Sequence, residues 1–420
     1  MAAARSTRRM IERGNFLRAL AACGVAPAML AAAPAGAGGS GANAQSPELQ
    51  PLERALVLSG GGALGAYEAG IVGALAARDH CSDGTPLRDY DMVCGTSIGA
   101  LNGWFVATGQ YAKLRALWYG ISGEKLVQPK PKFAAIRDPQ SGLVNRAASA
   151  LSLMGLVKNQ TAVLQTDAIY AWIVRNIDPA TPLVMPFVWA VTNLTLQRPE
   201  FFYMRPPGAR TDLPAKVIKS LQVSLGPHTI VREATPELLH RAIFASAALP
   251  LAFDPVLMPG PDGKNNAYCD GGVASNSPVG IAHAVARAAD VVLLDPQFAP
   301  ETNYTDAVDV SFGVFGTMQR KILEVEMRNT YFQSLGKRAF ERLLPSEVAR
   351  ATQGDALLER FMQTLPVTVL RYIRPEKPLP LGVVSFNDEV GIGKAYQTGW
   401  LDATSPTAGF KIYDWETFQL

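Results

Sequence analysis

The stretch Gly95-Thr96-Ser97-Ile98-Gly99 sets a serine between glycines two residues away on each side. A serine hydroxyl attacks an ester carbonyl well when the chain holds it clear of the backbone, in a cleft beside a base. A sharp turn from strand into helix does this, and side-chain-free positions such as Gly95 and Gly99 let the backbone close that tightly. The approach, Asp89-Tyr90-Asp91-Met92-Val93-Cys94, reads as a short strand, and Ala100 to Ala107 reads as the start of a buried helix. By itself the pattern fits a tight glycine turn about as well as a nucleophile elbow.

A second constellation lies upstream. Arg54-Ala55-Leu56-Val57-Leu58-Ser59 is a strand that runs into Gly60-Gly61-Gly62-Ala63-Leu64-Gly65. Consecutive glycines ahead of a helix can turn several backbone N–H groups toward one point, where the helix N-terminus favours negative charge. Two chemistries need such a point. One is stabilisation of the oxyanion in serine acyl transfer. The other is dinucleotide binding, because Gly60, Gly62 and Gly65 satisfy G-x-G-x-x-G, which calls for an acidic residue about 20 positions on, at the end of a second strand. Asp83, Asp89 and Asp91 lie in that region, but Asp91 opens a strand instead of closing one.

A third constellation is Tyr268-Cys269-Asp270-Gly271-Gly272-Val273, an acidic residue at a strand end followed by a glycine turn. Read alone it is a surface turn. Asn276 and Pro278 follow, ahead of an alanine-rich helix predicted over 281–289. Glycine loop, serine elbow and Asp-Gly-Gly turn, in that order, resemble the patatin-like phospholipase family. Ala245-Ser246-Ala247-Ala248-Leu249-Pro250 with Phe253-Asp254-Pro255-Val256, and Thr192-Asn193-Leu194-Thr195, are similar to further family segments, and the likeness runs from Arg54 to Asp295.

The resemblance implies a Ser–Asp dyad: Ser97 attacks the ester carbonyl and Asp270 takes its proton. It places the oxyanion in the loop Gly60, Gly61, Gly62 and Ala63, on the N–H groups of Gly61 and Gly62 foremost. Gly65, Gly95, Gly99, Gly271 and Gly272 support the turns. It implies no metal and no organic cofactor, and a lipid or acyl-ester substrate. Two positions depart from the pattern: Leu64 stands where many members carry Arg or Lys, and Ser59 where some have aspartate. The first removes any basic side chain from that point of the loop and leaves the backbone donors untouched.

The chain's own histidines agree with a dyad. Of His80, His228, His240 and His283, only His283 follows Asp270, as the order Ser, acid, His would require. It falls in the alanine-rich helix, where a partly buried, hydrogen-bonded imidazole is expected. An aspartate with a reference pKa near ~3.9 is a weak base. Burial in an apolar cleft is expected to raise it.

Composition bounds the remainder. The 420 residues are 48% hydrophobic and 18% charged, with a net charge of +3. This describes a well-buried globular chain. It gives no argument for nucleic acid, and leaves peripheral contact with an anionic membrane surface open. No apolar run after residue 50 is long enough to span a bilayer. Oligomeric state is not legible. Arg5, Arg8, Arg9, Arg13 and Arg18 precede an alanine-rich apolar stretch from Ala19 to Ala33, and Ala42-Asn43-Ala44 suits signal peptidase. Export from a bacterial cell, to the periplasm or beyond, is the expectation, with a cytoplasmic extension as the alternative. Without that leader Cys81, Cys94 and Cys269 remain, an odd number that argues against a disulfide framework.

Strands are predicted at Ala55–Ser59, Met92–Gly95, Pro186–Asn193, Phe201–Met204, Tyr268–Asp270 and Val291–Asp295. Alternation with helices predicts a three-layer α/β/α fold with a mainly parallel sheet and the chemistry at the carboxyl ends of its strands. The expected organisation is a leader over 1–44, a linker over 45–53, and a catalytic core over 54–295. The core holds a mostly helical insert over 113–178, in which Leu151–Val157 could cap an acyl groove or pack as a core helix. An extension over 296–420 is expected to pack on the core. Its helical stretch near 320–342, with Glu324, Glu326, Arg328, Lys337 and Arg338, reads as a solvated face.

Three functional classes remain: a serine hydrolase of lipid esters or of other carboxylic esters on the same scaffold, a nucleotide-binding oxidoreductase using Gly60–Gly65, and a catalytically quiet lipid binder. The last is disfavoured by the intact Ser97 and Asp270.

Overall fold

The computed structural model describes residues 51–130, 162–206, 229–295, 307–341, 367–405 and 409–418. The leader and the Leu151–Val157 segment lie outside them.

The first strand, β1 (Leu52–Leu58), enters the glycine loop and then helix α1 (Gly65–Arg78). Strand β2 (Met92–Thr96) is followed at once by α2 (Ile98–Ala107), then α3 (Tyr111–Gly120) and α4 (Asp167–Asn176). Next come β3 (Phe187–Asn193), β4 (Arg198–Met204), β5 (Ile230–Glu233), α5 (Pro236–Ala247), β6 (Val256–Pro259) and β7 (Asn265–Asp270). The chain continues through α6 (Val279–Val285), β8 (Ala286–Val292), the long α7 (Ala307–Glu341), β9 (Val369–Ile373), α8 (Glu389–Thr404) and β10 (Lys411–Ile412).

The strands form one sheet in the order β10-β9-β8-β1-β2-β3-β4-β5, with β6 and β7 attached through β3. The central run from β9 to β3 is parallel. Alternating side chains along its strands feed two cores, as period-two geometry requires. Leu56, Leu58, Val93, Phe187 and Trp189 face helices α1 to α5 and α8, whereas Ala55, Val57, Met92, Cys94 and Val188 face α6 and α7. The result is the expected three-layer α/β/α arrangement with a mostly parallel sheet. Among the described residues no helix is long and apolar enough to cross a membrane.

Strand β3 is the ruler of the molecule. Along one edge it pairs first with β2, parallel, up to Thr96 opposite Ala190. The next position on that edge is taken by β7, antiparallel, with Asp270 opposite Val191. Two strands running in opposite senses therefore end at one point, and each delivers its last residues there.

Helices α1 and α8 approach until their backbones touch. A methyl group on Gly70 would strike the Tyr396 carbonyl, and one on Gly399 the Tyr67 carbonyl. Side-chain-free positions on both helices thus let the C-terminal segment lie directly on the core.

Several element boundaries differ from the sequence reading. The helix predicted over 281–289 ends at Val285, and Ala286 opens β8, because Ala286–Val292 pairs with β1 on one side and its later residues with β9 on the other. Strand pairing outweighs the helix preference of a short alanine run. Strand β1 begins at Leu52, inside the predicted linker, since Leu52 pairs with Ala286. Strands β5, β6 and β10 were not expected, and β4 turns back antiparallel on β3. Helix α7 does not present the whole predicted charged face to solvent. Glu326 is half-buried against the Ser275–Val279 segment, and desolvation raises its pKa to about 8.

Candidate active site

Ser97 sits between β2 and α2 with φ 54 and ψ −122. A non-glycine residue in that region costs about 1–3 kcal/mol and persists only where its surroundings hold it. The restraints are explicit. The Ser97 N–H donates to Ser246 Oγ at 2.8 Å, and Ser246 Oγ donates onward to the Ala190 carbonyl at 2.6 Å. Ala100 N–H donates to the Ser97 carbonyl at 2.9 Å, starting α2. A Cβ on Gly95 would strike the Gly99 carbonyl, and one on Gly99 the Leu58 carbonyl, so neither flanking glycine can be replaced without moving backbone.

Asp270 closes β7 and is 2% exposed. Its N–H donates to the Ala248 carbonyl at 2.9 Å, and Thr192 Oγ1 donates to its carbonyl at 2.9 Å. Its carboxylate accepts the Gly272 N–H at 2.6 Å and lies near the Ser97 hydroxyl, whose influence, like that of the Gly272 N–H, lowers its pKa. Desolvation is the largest influence on this carboxyl, and it outweighs both, raising the pKa to about 7. The weak base of the sequence reading is thereby tuned toward neutral pH by burial.

The glycine loop packs beside this pair. A Cβ on Gly60 would come within 3.2 Å of Ser97 Cβ. The N–H groups of the loop are not equivalent. Gly60 N–H donates to the Asn276 carbonyl at 2.9 Å and Ala63 N–H to the Val383 carbonyl at 2.8 Å. Both are spent, and the four-residue oxyanion expectation narrows on that ground. Among the described residues, the Gly61 and Gly62 N–H groups have no acceptor. Gly62, at φ 58, lies in the left-handed region that favours glycine and turns the loop back under Val383. Gly65 opens α1, where a Cβ would strike Ile98. On the aspartate side, a Cβ on Gly271 would strike the Ala190 carbonyl, and one on Gly272 would crowd the Asp270 carboxylate and Gln319.

Three side chains that position this site did not stand out in the sequence as functional. Ser246 tethers the elbow, as described. Asn276 Nδ2 donates to the Gly60 carbonyl at 3.3 Å, so this residue clamps Gly60 through backbone and side chain together. Gln319 on α7 donates to Asn276 Oδ1 at 3.1 Å. Ser246 and Asn276 belong to segments the motif reading did quote, while Gln319 lies in a stretch with no motif.

The dinucleotide reading fails on geometry. Asp91 precedes β2 and accepts the N–H groups of Glu53 and Arg54, at the end of the sheet opposite the glycine loop. Asp89 pairs with Arg78 at that same end, and Asp83 accepts the Ala112 N–H. None can reach a ribose held at Gly60–Gly65. His283 is fully buried against Thr368 Oγ1 at 2.9 Å, where desolvation lowers its pKa to about 4. It is therefore neutral, and its partner lies on the strand segment leading to β9 instead of at the site. Cys94 and Cys269 are buried thiols with pKa values pushed up by desolvation, that of Cys269 to about 12. Among the described residues no group of three or more His, Cys, Asp and Glu could hold a metal ion.

A solved structure of VipD from Legionella pneumophila is similar at 14% identity and a TM-score of 0.31, over 83% of this chain and 66% of that one, so the chain spans just under two thirds of its length. No curated protein matches the chain. A family model described as "Patatin-like phospholipase" matches residues 56–283, more than half of the sequence and the whole span from the glycine loop to the Asp-Gly-Gly turn. The chain belongs to the patatin-like phospholipase family.

Proposed function

We propose that the protein is a serine acyl hydrolase that cleaves ester bonds of lipids, of phospholipase A or lipid esterase type, through Ser97 and Asp270. The observation that carries this reading is the meeting of β2 and β7 on β3, which sets a strained serine against a buried aspartate beside two unpaired backbone donors. Family membership supports a lipid substrate.

In this reading Asp270, poised near neutrality, accepts the Ser97 proton as Oγ bonds to the ester carbonyl carbon. Negative charge gathers on the carbonyl oxygen and is met by the Gly61 and Gly62 N–H groups, with the N-terminus of α2 adding its favourable partial charge. Collapse of the tetrahedral intermediate returns the proton from Asp270 to the departing alcohol and leaves an acyl-Ser97 ester. Water, giving its proton to Asp270, then attacks that ester, and Asp270 returns the proton to Ser97 Oγ as the fatty acid leaves. The strain at Ser97 keeps Oγ presented throughout, so no conformational search precedes attack.

The test is release of p-nitrophenol and fatty acid from p-nitrophenyl esters and phosphatidylcholine, with chelator present, by wild type, Ser97→Ala and Asp270→Asn. Hydrolysis abolished by both substitutions is the expected result. Activity surviving Ser97→Ala refutes the proposal. The ranking of substrates separates a phospholipase from a carboxylesterase acting on other esters.

A further inference from the structure

Two buried polar side chains beside the site take no part in the chemistry above. Asn102, five residues after Ser97 on α2, is 1% exposed, and Glu68, in the first turn of α1, is fully buried. An amide or a carboxyl is costly in such a place unless its atoms are bonded. Asn102 meets that demand in full. Nδ2 donates to the Gly65 carbonyl at 3.0 Å and to Glu68 Oε2 at 2.9 Å, and Oδ1 accepts from Trp118 Nε1 at 2.9 Å. The indole of Trp118, on α3, thereby fixes which way the amide faces. Glu68 is less well served, since Oε1 has no hydrogen-bond partner among the described residues. Desolvation pushes its carboxyl well above the ordinary carboxylate range, against the lowering influence of Asn102 and the Ser59 N–H, so it stands as a neutral acid.

These side chains join the two halves of the proposed acyl-transfer site. Helix α2 begins at Ser97, and α1 begins where the glycine loop ends. Their first turns approach closely: a Cβ on Gly65 would strike Ile98 and come within 3.2 Å of Asn102 Nδ2. Gly65 in turn donates its N–H to the Gly62 carbonyl. A chain of short contacts therefore runs from Ser97 along α2 to Asn102, across to Gly65, and back to Gly62, one of the two free donors. The strands alone do not fix this spacing. Leu58 pairs with Gly95, and the ladder between β1 and β2 stops there, ahead of the loop. The carbonyls of Asn276 and Val383 hold Gly60 and Ala63 from one side. Asn102 supplies the tie to the nucleophile's own helix. An aliphatic pair would fill the same space without desolvating an amide and a carboxyl, so packing alone does not account for them. A neutral Glu68 also sets no negative charge behind the donors that must meet the oxyanion.

Resting on the hydrolase reading above, we infer that Asn102, oriented by Trp118 and braced by Glu68, is a positioning residue for the oxyanion loop: it holds the Gly61 and Gly62 N–H groups at the distance from Ser97 that the tetrahedral intermediate requires. Its bonds are in place before any substrate arrives. Removing the amide leaves the Gly65 carbonyl and Glu68 Oε2 without their donor and unties the loop from α2. A displacement of about 1 Å between reacting groups is enough to cost about 100-fold in rate.

The experiment follows two quantities in wild type, Asn102→Ala, Glu68→Ala and Glu68→Gln. One is kcat for p-nitrophenyl butyrate per active site, the sites being counted by titration with a p-nitrophenyl phosphonate. The other is Ki for hexyl trifluoromethyl ketone, which reads the oxyanion directly. Ser97 Oγ bonds to the ketone carbon, the Ser97 proton passes to Asp270, and the carbonyl π pair becomes an alkoxide in the glycine loop. Asn102→Ala is expected to lower kcat by about 10- to 100-fold with KM within about threefold, and to raise Ki by the factor by which kcat/KM falls. Glu68→Ala should lose about three- to tenfold in both, and Glu68→Gln, which keeps a neutral acceptor of the same shape, should recover most of that loss. If Asn102→Ala does not fold, Trp118→Phe decides: it keeps an aromatic ring, removes the Nε1 donor, and is expected to raise Ki by about three- to tenfold. Values of kcat per site and Ki within about twofold of wild type in these variants would overturn the inference, as would a fall in kcat without a matching rise in Ki. Failure of the hydrolase reading is a different result, namely hydrolysis that persists in Ser97→Ala.

Discussion

Replacing Asp270 by Asn should inactivate the enzyme and stabilise it, with a pH dependence that identifies the cause. The Asn side chain fits the site: Oδ1 can accept the Gly272 N–H as the carboxylate does, and Nδ2 can donate to the Ser97 hydroxyl. What disappears is the ionisation. The folded-state pKa of about 7, against an ordinary value of 3.8, means the folded protein holds the Asp270 proton more tightly than the unfolded chain does. Stability carried by the protonated form is therefore complete below pH ~4, declines as pH rises toward 7, and is fully lost above it. A shift of about three units corresponds to about 4 kcal/mol at pH 8. Urea unfolding of wild type and Asp270→Asn at pH 4, 6 and 8 reads it directly. Both proteins keep Glu326, whose own raised pKa would otherwise distort the curve, so the difference between them isolates position 270. The two should be of similar stability at pH 4, with the variant gaining on wild type by about 4 kcal/mol at pH 8. A variant that fails to gain on wild type between pH 4 and 8 would refute the claim that burial dominates this carboxyl.

Three further outcomes follow from the same geometry. With Asp270 in the proposed role of base, kcat/KM should rise about tenfold per pH unit below an inflection near 7 and flatten above it; a flat profile from pH 5 to 8 would exclude the role. Asn276→Ala should lower kcat by about 10- to 100-fold through loss of the Gly60 clamp, and Gln319→Ala by a few-fold. Since Gln319 acts through Asn276, the double variant should be no worse than Asn276→Ala alone, and full additivity in the cycle would show that the two residues work separately. Ser246→Ala leaves the Ser97 N–H and the Ala190 carbonyl without their partner, so unfolding free energy should drop by about 2–3 kcal/mol together with kcat. Ser246→Thr, which keeps the hydroxyl, should recover much of both.

How far such a site is legible in sequence depends on whether a residue is constrained by its immediate neighbours or by distant ones. Gly95 announces itself because the steric demand is local, a Cβ there striking the Gly99 carbonyl of the same turn, whereas the demand at Gly99 comes from the distant Leu58 carbonyl of β1 and shows in the sequence only through the Gly-x-Ser-x-Gly pattern. Asp270 is local in the way Gly95 is, since its partner Gly272 is two residues away. The glycine loop was legible as a cluster of donors. The resemblance put Gly61 and Gly62 foremost among them, but that Gly60 and Ala63 are spent was not legible, because the carbonyls that take them lie at positions 276 and 383. Gln319 was invisible for the same reason, since its meaning comes entirely from a contact 43 positions away. Glu326 was misread because a charge pattern along a helix says nothing about which charged positions the sheet will cover.

The sheet itself explains why two weak local signals combine into a strong one. Neither a Gly-x-Ser-x-Gly turn nor an Asp-Gly-Gly turn specifies chemistry alone. Strand β3 gives them a common register: its edge carries β2 to Ala190 and β7 from Val191, so adjacent positions on one strand fix the serine and the aspartate relative to each other. Any insertion in β3 would separate the pair by a strand step of about 3.3 Å and flip the following side chains to the opposite face. The juxtaposition of Ser97 and Asp270 is thus a property of a seven-residue strand, Phe187–Asn193, that contains neither residue. Its all-buried sequence, FVWAVTN, is held by aromatic stacking of Phe187 on Trp189 and of Trp189 on Phe202 of β4, with ring centroids 4.7 and 5.7 Å apart. Those rings lie on the face of the sheet that α2 covers, where Phe187 also meets Trp104 with ring centroids 6.5 Å apart, and they tie β3 to β4 while its other edge is left to β2 and β7.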